Sequence, residues 1–163
     1  MIEKGYKGLK VYQLAFQAAM KIYKVSTVFP KEEKYSLTDQ IRRSSRSVCA
    51  NIAEGYRKRI YPKFFLLKLA DSDGECSETL VWLDFARECG FLNPERFEEL
   101  SILYEEIGRL LGKMIQNPEK FQYPPTACCL LPTVYCLLPT AYNSNVHFNI
   151  DPNRFLCNFA AVF

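Results

Sequence analysis

The chain has 163 residues, 48% of them hydrophobic and 24% charged, which suits one globular domain with a substantial core. No apolar run is long enough to span a membrane, and the first ten residues, MIEKGYKGLK, lack the apolar segment of a secretory signal. The composition therefore excludes a transmembrane protein and predicts a cytoplasmic location.

The net charge of +3 conceals a separation of charge along the chain. Residues 1–68 hold fifteen Lys or Arg against five Asp or Glu, a net of +10, whereas residues 69–123 hold five against twelve, a net of −7. Such a separation indicates a surface for a polyanion, or complementary contacts between subunits.

The first predicted helix covers residues 7–28 and ends before Pro30, because the residue that precedes a proline disfavours helix. Its stripe at helical spacing consists of Leu9, Tyr12, Phe16, Ala19, Tyr23 and Ser26. The second predicted helix covers residues 36–56, with Gly55 as the expected C-cap. Its packing face, interleaved with small residues that let a neighbouring helix approach, consists of Leu37, Ile41, Val48 and Ile52.

The third predicted helix covers residues 62–89, begins with a proline suited to a first turn and ends before Gly90. One side of this helix carries Phe65, Leu69, Cys76, Leu80, Leu83 and Ala86. The fourth covers residues 93–116 and begins at Asn93, an N-cap residue followed by proline. Its apolar repeat consists of Phe97, Leu100, Leu103, Ile107, Leu110 and Met114. Because the connections are short, the sequence predicts an all-α, antiparallel up-down four-helix bundle.

The character of the chain changes after residue 123. Residues 125–142 read PTACCLLPTVYCLLPTAY, a seven-residue repeat whose recurring proline excludes a coiled coil. Three copies of the seven-base unit ACTGCCT translate to TAYCLLP, so we interpret the segment as a translated DNA tandem repeat; the alternative is an evolved extension. The chain is thus divided into a bundle over residues 1–121 and an irregular, low-complexity C-terminal tail over residues 122–163.

The residues that could carry metal or catalytic chemistry lack the required spacing. None of the seven cysteines forms a CxxC pair, and His147 is the only histidine, so no metal-site pattern is present. The acidic set in the third helix lacks the spacing of a calcium loop and consists of Asp71, Asp73, Glu75 and Glu78. We predict no catalytic residue, metal or cofactor.

Glu54 is a single carboxylate without a histidine or metal partner, which makes it a poor catalyst. We instead expect it to pair with Arg42, Arg43 or a helix N-terminal amide. The enzyme class is therefore disfavoured.

The candidate nucleic-acid site is a basic cluster in residues 42–68, where Glu54 is the single acidic residue. The cluster comprises Arg42, Arg43, Arg46, Arg57, Lys58, Arg59, Lys63 and Lys68. Several cations on one surface bind phosphates by releasing counterions, and Tyr56 and Tyr61 could stack on unpaired bases. The alternative is a solvated face, or salt bridges to the acidic helices of a neighbouring subunit.

Four segments support a family resemblance: GLKVYQLA, FPKEEKYSLTDQIRRS, NIAEG and ECGFL, within residues 7–121. They resemble the bacterial four-helix bundles known as 23S ribosomal RNA intervening-sequence proteins and, more distantly, the accessory variability protein of diversity-generating retroelements. The resemblance implies a ring-like homopentamer, a nucleic-acid partner (RNA or DNA) and a reverse transcriptase partner, without established enzymatic activity. One departure is the basic stretch YRKRIYPKFF after NIAEG, where the family usually has Gly-Arg, then Ser and a glutamate.

The sequence thus predicts a non-enzymatic, homo-oligomeric bundle with a basic surface that binds RNA or DNA. Oligomerisation is expected because the large apolar residues exceed what one small core accommodates; they include Tyr12, Phe16, Phe64, Phe65, Leu66, Leu67, Val81 and Trp82. The alternative function is a structural or protein-interaction bundle whose charge separation serves subunit or partner assembly.

Overall fold

The computed structural model describes residues 5–121, which form four α-helices joined by short connections. The helices are α1 (Lys10–Val25), α2 (Leu37–Arg57), α3 (Pro62–Glu88) and α4 (Pro94–Gln116). All four predicted helices are confirmed, and α1 is shorter than predicted because 3-10 turns flank it. The interpretation of residues 122–163 as a tail, with its repeat, lies outside the described residues.

The helices run alternately up and down around one core. Both α1 and α3 pack against α2 and α4, so α1 and α3 occupy diagonal positions, as do α2 and α4. Ser72 meets Val48 and Thr79 meets Ser44, so α2 and α3 run antiparallel. The predicted all-α four-helix bundle is confirmed, and residues 5–121 contain no strand and no helix apolar enough over sufficient length to cross a membrane.

Each helix contributes one face to the core. On α2 the predicted packing face is confirmed, because all four of its residues are buried. On α1 the predicted stripe is partly wrong, since Phe16 and Tyr23 are exposed. The buried face of α1 consists of Val11, Ala15, Ala18, Ala19 and Ile22. The alanines let α1 lie close to its neighbours, and the larger aromatic side chains therefore stay outside.

Buried hydroxyl groups join α2 to α3. The Ser72 hydroxyl donates to the Val48 carbonyl at 3.0 Å, and the Thr79 and Ser44 hydroxyl oxygens lie 2.9 Å apart. These side chains are almost completely buried, and their hydrogen bonds offset the cost of removing polar groups from water.

Gly55 sets the closest approach between α2 and α3. It was predicted as the C-cap of α2, which is wrong, because the helix continues to Arg57 and Gly55 is buried. A Cβ atom at this position would lie 3.2 Å from the Lys68 Cβ and 3.7 Å from the Phe65 ring. The missing side chain therefore makes room for α3, and this contact fixes where α3 begins beside the end of α2.

Both helix-end residues predicted between α3 and α4, Gly90 and Asn93, are confirmed. Gly90 has a φ of +74°, in the left-handed region that suits glycine at a helix end. The Phe91 amide then donates to the Ala86 carbonyl at 2.9 Å and closes the last turn of α3. The Asn93 side chain accepts a hydrogen bond from the Arg96 amide at 2.9 Å, which caps the start of α4.

Candidate nucleic-acid interface

The outer side of α2 carries a row of exposed arginines. Arg43, Arg46 and Arg57 are all exposed, and their spacing of three and eleven residues places them on one stripe of the helix. The stripe extends about 21 Å along the helix axis at 1.5 Å per residue. Within residues 5–121, no carboxylate lies within 4 Å of any of these three guanidinium groups. We call these three residues the arginine row.

Arg42 is next to the arginine row in sequence but points toward α1. Its Nε donates to the Ser26 hydroxyl at 2.7 Å, and its guanidinium carbon lies 5.1 Å from the centre of the Tyr23 ring. These contacts join α1 to α2 and leave Arg42 half-buried. Arg42 therefore has a structural task that Arg43 and Arg46 do not share.

A shallow open groove follows the first half of this surface. Its lining consists of Asp39, Arg42, Arg43, Arg46, Ser47 and Ala50. Three of the six lining residues are arginines and one is an acid, so the groove carries net positive charge. Ala50 is exposed and presents only a methyl group between Arg46 and Arg57.

Two of the three lysines of the basic cluster, Lys58 and Lys68, are held by carboxylates at the α2–α3 contact. Glu54 lies 2.5 Å from the Lys58 ammonium and 3.1 Å from that of Lys68, which also lies 3.1 Å from Asp71. Hydrogen bonds from Lys58 and Lys68 hold the pKa of the Glu54 carboxyl below its usual range. The predicted pairing of Glu54 with Arg42, Arg43 or a helix N-terminal amide is wrong, because Lys58 follows one turn later on α2 and α3 brings Lys68 to the same side.

Arg59 is withdrawn from the surface. Only 8% of the residue is exposed; its guanidinium lies 3.7 Å from the centre of the Tyr56 ring and donates to the Tyr56 carbonyl at 2.6 Å. One face of Tyr56 is therefore covered by Arg59. Lys63 lies in the first turn of α3 and is exposed.

An acidic surface borders the basic one along α3. A second shallow depression is lined by Asn51, Lys68, Ala70, Asp71, Gly74, Glu75 and Glu78. Burial raises the pKa of Glu75, and the neighbouring Glu78 adds to this effect, while Arg43 opposes it. In the part of the chain that the structure describes, no group of three or more His, Cys, Asp or Glu side chains is placed to hold a metal ion. The acidic side chains of α3 therefore lie beside the arginine row of α2.

The sequence analysis did not include Phe64 in the candidate binding site. Its ring is 55% exposed in the first turn of α3, and its centre lies 6.2 Å from that of Tyr61. The adjacent pair Phe64–Phe65 could have indicated that one of the two rings is exposed, because neighbouring residues on a helix cannot both face one core. Phe65 is buried, so Phe64 must point away from the core.

Together these features define an antiparallel four-helix bundle with a row of exposed arginines on α2. The chain belongs to the family of 23S rRNA-intervening sequence proteins, which it matches over residues 7–113. It is also similar to a crystal structure from Bacteroides thetaiotaomicron, described as a protein with unknown function from the S23 ribosomal protein family. The two share 27% sequence identity with a TM-score of 0.59, over 64% of this chain and 97% of that one. Among proteins with curated descriptions, none matches the chain.

Proposed function

We propose that this protein is a non-enzymatic, homo-oligomeric bundle that binds nucleic acid, with RNA as the principal ligand, through the outer side of α2. The observation that carries the proposal is the arginine row. Its three guanidinium groups lie on one stripe of one helix, and no carboxylate in residues 5–121 comes within 4 Å of them. Membership of a family described by its ribosomal RNA intervening sequences supports RNA as the ligand.

A polynucleotide suits this surface because it presents phosphates in a line. Arginine donates hydrogen bonds to phosphate oxygens in a planar fork, and each neutralised phosphate releases counterions. Lys58 and Lys68 are less available for phosphate binding, because both already bind Glu54. We therefore assign the largest share of binding to Arg43, Arg46 and Arg57.

Self-association is supported by two apolar faces on diagonal sides of the bundle. On α1 the exposed residues are Phe16, Met20 and Tyr23, and on α3 they include Val81 and Phe85. Because α1 and α3 are diagonal, the two faces point in different directions, which favours head-to-tail contacts that close into a ring. A pentamer and a reverse transcriptase partner rest on the family resemblance. A ring would repeat the arginine row and strengthen weak single contacts.

The binding experiment compares two triple variants. One replaces the arginine row with glutamine, and its control replaces the exposed lysines Lys24, Lys31 and Lys34 with glutamine. Fluorescence anisotropy with labelled RNA, at about 50 mM and about 200 mM salt, measures affinity and its salt dependence. We expect the arginine variant to lose most of its affinity and to show a shallower salt slope. Equal losses in both variants would indicate a general charge effect and defeat the proposed site.

The assembly experiment uses two exposed apolar residues of similar exposure. Val81 on α3 is 50% exposed and Ile102 on α4 is 52% exposed. Analytical ultracentrifugation of Val81→Asp should show dissociation, because the substitution places a charge on an apolar contact. Ile102→Asp should sediment like the original protein. A monomeric original protein at micromolar concentration would contradict the proposal.

The second candidate function is assembly with a protein partner through complementary charge. The acidic residues Asp71, Glu75 and Glu78 on α3 favour it, since they could bind the arginine row of another copy. The salt dependence of RNA binding and the sedimentation of the arginine variant distinguish the two functions. RNA binding should weaken steeply as salt rises, whereas the second function predicts that replacing the arginine row changes sedimentation and leaves RNA binding unaffected.

A further inference from the structure

An aromatic surface lies next to the basic one, where α2 connects to α3. The rings of Tyr61 and Phe64 meet edge to face with centres 6.2 Å apart, and the Lys58 ammonium lies 5.9 Å from the centre of the Phe64 ring. Arg57 precedes this pair at the end of α2 and is exposed, as is Lys63 beside Phe64. We call the two rings the junction platform.

We propose that the junction platform stacks against unpaired bases, so that the protein prefers single-stranded segments of nucleic acid over a regular duplex. This inference rests on the proposed function and adds the conformation of the ligand to it. Aromatic side chains bind bases of any sequence by stacking, because every base presents a planar face. Flanking cations then contact the phosphates on either side of the stacked base.

The exposure of Phe64 has a structural cause. Phe65 fills the core beside Gly55, so helical geometry directs Phe64 outward. An outward apolar ring gains nothing from the core of its own subunit. Its surroundings are cationic, which makes an anionic ligand with planar groups the best match. A regular duplex offers phosphates but keeps its base faces stacked inside, so its bases cannot stack on the Phe64 ring.

A second copy of the chain is the competing occupant of this surface. Phe64 lies about 31 Å along α3 from Phe85, at 1.5 Å per residue, so the two rings belong to separate patches. The patch around Phe85 includes Trp82, with ring centres 5.8 Å apart. The nearby Arg87 pairs with both Asp84 and Glu88, so these three side chains together carry one negative charge. Charge therefore favours nucleic acid at the Phe64 end of α3 and a subunit contact at the Phe85 end.

The experiment measures binding of a single-stranded oligouridylate of about twelve nucleotides and of an RNA duplex of equal length by fluorescence anisotropy. The variants are Phe64→Ala and Phe64→Leu, with Ile102→Ala as the control because Ile102 is 52% exposed and lies on α4, outside the apolar faces proposed for self-association. We expect both Phe64 variants to bind the single strand about tenfold more weakly. Their duplex affinity and salt slope should be unchanged, because no charge is removed.

Phe64→Trp keeps a flat ring and should retain single-strand binding, which separates stacking from a general need for an apolar side chain. Circular dichroism checks that each variant is folded. Equal affinity of the original protein for both RNAs, or equal losses in the Phe64 and Ile102 variants, would overturn this inference while RNA binding through the arginine row stands. Reduced sedimentation of Phe64→Ala would assign the ring to a second copy. Absence of binding to either RNA would overturn the inference and the proposed function together.

Discussion

The neighbouring helices α2 and α3 differ in how their outer sides are built. The buried face of α2 is apolar or small and its outer side is basic, so the bundle alone accounts for its apolar residues. Helix α3 buries Phe65, Leu69 and Leu83, yet it also exposes large apolar side chains on the opposite side. The exposed set consists of Phe64, Leu67, Val81 and Phe85. The bundle therefore accounts for the apolar residues of α2, whereas α3 carries a second apolar face that the bundle does not bury.

The largest effect should come from the inner face of α3. Leu83 is fully buried, so Leu83→Ala removes packed atoms and leaves a cavity. We expect it to lower the free energy of unfolding by about 2–5 kcal/mol. Phe85→Ala, two residues away on the outer side, should cost less than about 1 kcal/mol within the subunit. Urea unfolding at one fixed protein concentration measures both values, and similar losses would remove the distinction between the two faces.

Two glycines test the contact between α2 and α3. Gly55→Leu should destabilise the fold by about 1–3 kcal/mol, because its side chain would collide with Lys68 and Phe65. Gly74 in α3 has open space around its position, so Gly74→Ala should stabilise the helix by about 1 kcal/mol. Thermal unfolding followed by circular dichroism distinguishes them. If Gly55→Leu kept the original melting temperature, the close approach at Gly55 would be unnecessary.

Adjacent arginines on α2 should separate stability from binding. Arg42→Ala loses the hydrogen bond to Ser26 and the contact with the Tyr23 ring, which should cost about 1–2 kcal/mol. Arg43→Ala should change stability by less than about 0.5 kcal/mol, because Arg43 is exposed. For RNA affinity we expect the opposite order, so that Arg43→Ala lowers the affinity more than Arg42→Ala does. Chemical unfolding and anisotropy on the same samples check both statements, and identical behaviour would place both arginines on one surface.

The smallest effect concerns the ion pairs between α2 and α3. The pKa of Glu54 is lowered in the folded protein by Lys58 and Lys68. Its stabilising contribution is therefore present above the unfolded pKa of about 4.3 and is lost as the pH falls through the lower folded value. Glu54→Gln should reduce the melting temperature slightly at about pH 7 and flatten its decrease in acid. The control is Glu105→Gln on the exposed side of α4, and an unchanged acid profile in Glu54→Gln would contradict the ion-pair assignment.

Much of the fold could be predicted from local sequence signals. Prolines and glycines at helix ends, Asn93 as an N-cap and the apolar spacing of α2 each act within a few residues, so they are visible in the sequence. At Gly55 the local sequence signal gives the wrong prediction. This glycine resembles a C-cap in sequence, but α3 occupies the space beside it, and only the packed structure reveals that contact.

The candidate site was predicted as a region but not in detail. The sequence by itself placed eight cations in one basic cluster. It also indicated that its large apolar residues, with Phe64 and Val81 among them, could not all face one small core. The tertiary structure decided which cations remain available. It turns Arg42 toward Tyr23, buries Arg59 on Tyr56 and brings Lys68 to Glu54. The physical reason is that ion pairs and stacking depend on distances between helices, whereas charge and apolar periodicity are properties of each helix alone.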